Sequence, residues 1–120
     1  MKTKNVALWV LQIAVALFFL VAGWPKLVGA PPMVQAFEAI GFGQWFRHVT
    51  GLLEIGGAIL LFVPAFAGFG AVTLAIVMIG AILAHIVVLG GSAAIPLALL
   101  AATLTIGWLR REQFRPLARA

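Results

Sequence analysis

The sequence predicts an all-α membrane protein, a transmembrane four-helix up-down bundle forming one domain over residues 1–120. Three observations predict it. First, 64% of the 120 residues are hydrophobic and 9% are charged, whereas soluble domains sit near about 45–50% apolar and about 25% charged. Too few polar side chains remain to cover a surface facing water. Second, the apolar residues gather into four runs of about 17–23 residues, which suits a hydrocarbon core about 30 Å thick. Third, two of the three connections between runs are short and rich in Gly and Pro, which forces antiparallel neighbours.

Span one covers about residues 6–28, apolar apart from Gln12 and its closing Trp24-Pro25-Lys26. It is too long for a signal-peptide core and no small-residue cleavage site follows it, so it reads as a permanent span. Span two covers about residues 46–63 and carries Glu54. Pro64 to Gly68 then forms a tight turn into span three, about residues 69–89, which carries His85. Gly90-Gly91-Ser92 turns the chain into span four, about residues 93–109, which has no ionisable residue. The connection from Gly29 to Arg47 is longer. After Pro31-Pro32 it places Met33, Phe37 and Ile40 at i, i+4 and i+7, with Gly41 as a stop signal. That spacing predicts a short amphipathic helix lying on the membrane surface. An irregular loop is the alternative. Glycines and alanines such as Gly51, Gly57 and Ala84 recur along the spans and permit close helix approach.

The net charge of +5 does not point to nucleic acid. Six of the eight basic residues lie at the two ends: Lys2, Lys4, Arg110, Arg111, Arg115 and Arg119. An even number of spans puts both ends on one side, and the positive-inside rule makes that side cytoplasmic. The segment Arg110 to Arg115 reads as an orientation anchor for anionic lipid. With no cysteine, the chain offers no disulfide and no thiolate metal site.

An ionisable group in hydrocarbon costs about 2.5–3.5 kcal/mol on insertion scales. Glu54 and His85 are such groups, and Lys26 stands at the border of span one. At 1.5 Å per residue, Glu54 lies about 12 Å in from the non-cytoplasmic side and His85 about 6 Å. Lys26 closes span one on that same side. The three therefore share the outer half of the bilayer. Together they predict an outer-half pocket suited to a ligand with a polar head and an apolar tail. Lys26 can snorkel to Glu54, and His85 can relay protons near neutral pH. Trp24, Arg47, His48, Gln35 and Glu38 stand near the rim. The competing reading makes the same residues structural, since buried polar groups need partners whatever the function. His48 and His85 do not make a metal site, because further ligands at coordinated spacing are absent. Trp9, Trp24, Trp45 and Trp108 fall near the predicted interfaces, as an aromatic belt would. No nucleotide fingerprint or phosphate loop is present.

Several of these residues carry a resemblance. Phe18 to Leu27 (FFLVAGWPKL), with Gly23 ahead of Lys26-Leu27, resembles the end of the first helix in DoxX-like proteins. Gly51 to Leu61 (GLLEIGGAILL), with its acidic residue ahead of glycines, is similar to that family's second helix, and Ala84-His85 is similar to many members. The resemblance covers nearly the whole chain. It implies a bacterial inner-membrane protein, with Lys26 and Glu54 on recurrent polar positions of the family. It also implies one of several roles: a small subunit of a quinone-linked oxidoreductase, or a member of a membrane complex with soluble partners. The cysteines that sulfur chemistry would use are absent here.

Three functional expectations follow. The leading one is a redox-associated subunit that binds a quinone or lipid-like ligand. Glu54 and His85 would exchange protons with the head group, and Lys26 would set the local potential. No redox cofactor is encoded, so electrons would come from a soluble redox partner. The second is a non-catalytic anchor or scaffold for soluble proteins. The third is a small transporter, for which a homo-oligomer would build the path.

Overall fold

The computed structural model describes residues 2–115, with side chains from residue 5 onward. Arg119 lies outside the described residues, as do the side chains of Lys2 and Lys4. Helices account for nearly all of the described chain: α1 (Lys2–Val28), α2 (Pro31–Ile40), α3 (Gln44–Phe62), α4 (Ala67–Ala84) and α5 (Ala94–Leu109). A single π-turn, His85–Leu89, continues α4, and a 3₁₀ turn, Arg111–Phe114, follows α5.

The long helices pack in the cyclic order α1, α3, α4, α5, each antiparallel to the next. Gln12 of α1 meets Leu61 of α3, whereas Lys26 meets Glu54. Gly57 of α3 lies against Gly70 and Leu74 of α4, and Gly107 of α5 lies against Ala71 of α4. The core is a column that includes Phe19, Ala58, Leu61, Leu74 and Ile106. Gln12, fully buried, donates from Nε2 to Leu61 O at 3.0 Å and accepts from Arg110 Nε at 2.7 Å. Both described ends of the chain thus lie at one end of the bundle. The outward faces are apolar, with Val21, Leu52, Ile76 and Leu104 all exposed. A protein with such a surface is solvated by hydrocarbon.

Three helices are long and apolar enough to cross a membrane: Asn5–Val28, Gln44–Phe62 and Ala67–Leu89, the last including the π-turn. The predicted fourth span differs. With 16 residues, α5 rises about 24 Å, short of a hydrocarbon core of about 30 Å. It packs along α4 and stops at Arg110, whose side chain turns inward to Gln12. The same contact revises the reading of Arg110 as part of a lipid anchor.

The chain reverses after α1 through residues chosen for backbone reasons. Gly29 adopts a left-handed φ of 76°, and Ala30 donates to Pro25 O at 3.0 Å, the six-to-one bond of a Schellman cap. Pro31 then opens α2, where a missing N–H costs nothing. The predicted amphipathic helix is present, but its apolar face is not spread on lipid. Phe37 is buried, and Met33, Phe37 and Ile40 face a cavity at the end of the bundle.

Candidate functional site

One close approach builds the site. At the crossing of α1 and α3, a Cβ on Gly23 would stand 2.8 Å from Ile55 Cγ1 and 3.2 Å from Gly51 O. A Cβ on Gly51 would stand 3.1 Å from Gly23 O. Only glycines let these backbones come so near. Lys26 and Glu54 each lie three residues beyond their glycine, on the same helix faces. The crossing therefore carries the two charges together: Lys26 Nζ is 2.9 Å from Glu54 Oε1, with side-chain exposures of 15% and 3%. Lys26 Nζ also donates to Ala22 O at 3.2 Å. The ion pair is close but not aligned as a hydrogen bond, so Oε1 receives no aligned donor among the described residues.

Beyond this pair opens a cavity of about 850 Å³. Its size falls within the range of small-molecule sites, about 300–1,000 Å³. Phe18, Phe19 and Ala22 of α1 wall one side, and α2 roofs it with Phe37. Thr50, Leu53 and Glu54 come from α3. Met78 and Ala81 of α4, His85 of the π-turn, and Ser92 with Pro96 near the start of α5 complete it. The walls are overwhelmingly apolar, with Lys26, Thr50, Glu54, His85 and Ser92 as the polar exceptions. Phe18, Leu53 and Ile95 line the cavity and are exposed, so it opens among apolar residues.

The structure brings Lys26, Glu54 and His85 to this one cavity. His85 opens the π-turn, closed by Gly90 N–H donating to His85 O at 2.8 Å. A π-turn inserts a residue into a helix and is frequent at functional sites. The His85 ring bonds Gly90 O through Nδ1 at 3.0 Å. A carbonyl only accepts, so Nδ1 carries the proton and Nε2 is the free nitrogen.

The other predicted site residues lie elsewhere. Arg47 is 7% exposed and does not line the cavity. Its guanidinium donates to Lys26 O and, through Nε, to Gln44 Oε1 at 2.7 Å. It thereby serves the carbonyl end of α1, where a cation is favoured. Gln44 Nε2 in turn donates to Val34 O at 3.1 Å and ties α2 to α3. His48 is exposed and donates from Nδ1 to Gln44 O at 3.1 Å. Trp24 is 60% exposed on the outer face, and Gln35 and Glu38 are exposed on α2. Among the described residues, no group of three His, Asp or Glu side chains is placed to hold a metal ion. Thr50 was absent from the sequence reading, although it precedes Glu54 by four residues and so shares its helix face.

Comparison with known proteins adds a relationship. A family model described as the DoxX-like family matches residues 10–107. An uncharacterized protein, YdgD of Bacillus subtilis (strain 168), is 34% identical over 79 residues, covering 62% of this chain and 69% of the relative. No solved structure matches.

Proposed function

The chain belongs to the DoxX-like family, and from that premise we propose that it is a redox-associated membrane subunit whose cavity binds a quinone or similar lipid-like amphiphile. The observation that carries this reading is the placement of Lys26, Glu54 and His85 in one largely apolar cavity that opens among exposed apolar residues. Such a site accepts an apolar tail against Phe18, Phe19 and Leu53, and a polar head beside the ion pair. Pockets of this kind fix a ligand's orientation with a few polar groups in an apolar wall.

In this reading, the head group exchanges protons with Glu54 or His85 while a partner protein supplies or removes the electrons. Reduction of a quinone takes up two electrons and two protons, and its reversal releases them. Lys26, fixed at 2.9 Å from Glu54, sets the potential felt by the head. The basic ends support cytoplasmic termini and the family resemblance supports the bacterial inner membrane; on this reading the cavity lies in the outer half. The joining of α1 and α5 through Gln12 and Arg110 supports a common side for the two ends.

The test is binding of a short-chain quinone analogue to purified protein in detergent, with and without Glu54→Gln. Binding that weakens in the variant supports the reading. Equal binding in both, or none in either, counts against it and favours a non-catalytic anchor.

A further inference from the structure

Hydrogen-bond bookkeeping in the cavity points to a narrower ligand class. Glu54 is 2% exposed, and a carboxylate has about four acceptor sites. Among the described residues, Lys26 approaches it at Oε1 alone, without hydrogen-bond alignment. Thr50 has spent its hydroxyl proton on Phe46 O at 2.8 Å, which leaves lone pairs. The His85 ring has spent Nδ1–H on Gly90 O, so the neutral ring offers the Nε2 lone pair. Ser92 runs the other way: its Oγ accepts Ala94 N–H at 3.1 Å, and its own proton remains free. Three acceptors thus stand against one free hydroxyl donor and the one N–H that the Lys26 ammonium has left after Ala22 O and Glu54.

We propose that the cavity selects an amphiphile whose head group donates hydrogen bonds, so that a hydroxyl-bearing head binds in preference to its carbonyl or ether counterpart. This rests on the amphiphile-binding reading above and narrows it to the reduced, quinol form. A quinone carbonyl only accepts, and it would leave the spare lone pairs of Glu54, Thr50 and His85 unused beside it. A hydroquinone hydroxyl donates to them. The same chemistry is offered by the glycerol head of a monoacylglycerol, so the experiment separates the two sources.

Four probes are titrated anaerobically against the protein in lipid nanodiscs: duroquinol, duroquinone, a monoacylglycerol and its dimethyl ether. The expected result is duroquinol tighter than duroquinone by about tenfold or more, as one hydrogen bond to a charged acceptor gives. The ratio should shrink in Glu54→Gln, which removes the charged acceptor that the quinol hydroxyl meets, and also in Thr50→Val. If Glu54→Gln fails to fold, the wild-type ratio and Thr50→Val still decide. A preference for hydroxyl confined to the glycerol pair supports the donor rule but opposes the quinone reading. Equal or tighter binding of both duroquinone and the ether overturns the inference and leaves the proposed function standing. Absence of binding by all four overturns both.

Discussion

Lys26 and Glu54 form an ion pair at 2.9 Å across the crossing of α1 and α3, with Glu54 almost fully enclosed. Removing one member leaves the other charge buried without compensation, at a cost of about 3–5 kcal/mol. Lys26→Met or Glu54→Leu should therefore lower the detergent unfolding midpoint sharply. The double variant should recover much of the loss, since a buried pair exchanged for apolar side chains is near neutral. A double variant no more stable than the worse single variant would show that the two residues are not coupled.

The crossing itself rests on glycine. Gly23→Val would drive side-chain atoms toward Ile55 and Gly51 O. Overpacking of this kind costs about 1–3 kcal/mol, and here it would also part Lys26 from Glu54. Gly56→Ala is the matched control, because its Cβ would meet nothing within 4 Å. Unfolding curves for the two should separate clearly; equal curves would contradict the packing described.

Arg47 is predicted to act on stability rather than on ligand. Arg47→Met removes the donors to Lys26 O and Gln44 Oε1, and hydrogen bonds made by charged groups are worth about 1.5–3 kcal/mol. The folded fraction should still bind the quinone analogue far better than Glu54→Gln does. His48→Ala should leave both properties unchanged, given its exposed position. A specific loss of binding in either variant would return these residues to the site.

The contrast between Arg47 and Lys26 marks what the sequence could convey. Apolar run lengths give the number and rough limits of the long helices, because hydrocarbon thickness sets them. Residue depth along each span brings Lys26, Glu54 and His85 to a common level. Arg47 looks like a rim residue by the same arithmetic. Its burial depends on the carbonyls that the Gly29 cap leaves at the end of α1, and hydropathy carries no trace of that. The π-turn at His85 is equally silent, since His85 to Leu89 is as apolar as a regular helix would be. For α2, the periodicity gives the helix but not what covers its apolar face; the cavity beneath it arises only when the long helices pack.

At the opposite end, Gln12 links α1 to both α3 and α5. Gln12→Leu would leave Leu61 O without its side-chain donor and Arg110 Nε without Gln12 Oε1, where Arg110 Nη2 already has no partner among the described residues. Unsatisfied buried groups cost about 1–3 kcal/mol each. The expected outcome is a lower unfolding midpoint and faster proteolysis after Arg110 and Arg111, with the quinone affinity of the folded protein retained. Unchanged proteolysis would contradict this seam between α1 and α5.

The most direct test of the central claim is photo-cross-linking with an azido-quinone in proteoliposomes, mapped by peptide mass spectrometry. The account predicts adducts on cavity residues such as Phe19, Ala22, Thr50 and Ala81, lost on competition with excess quinol. Adducts spread over outward-facing residues such as Val21, Leu52 and Leu104, and insensitive to competition, would contradict it.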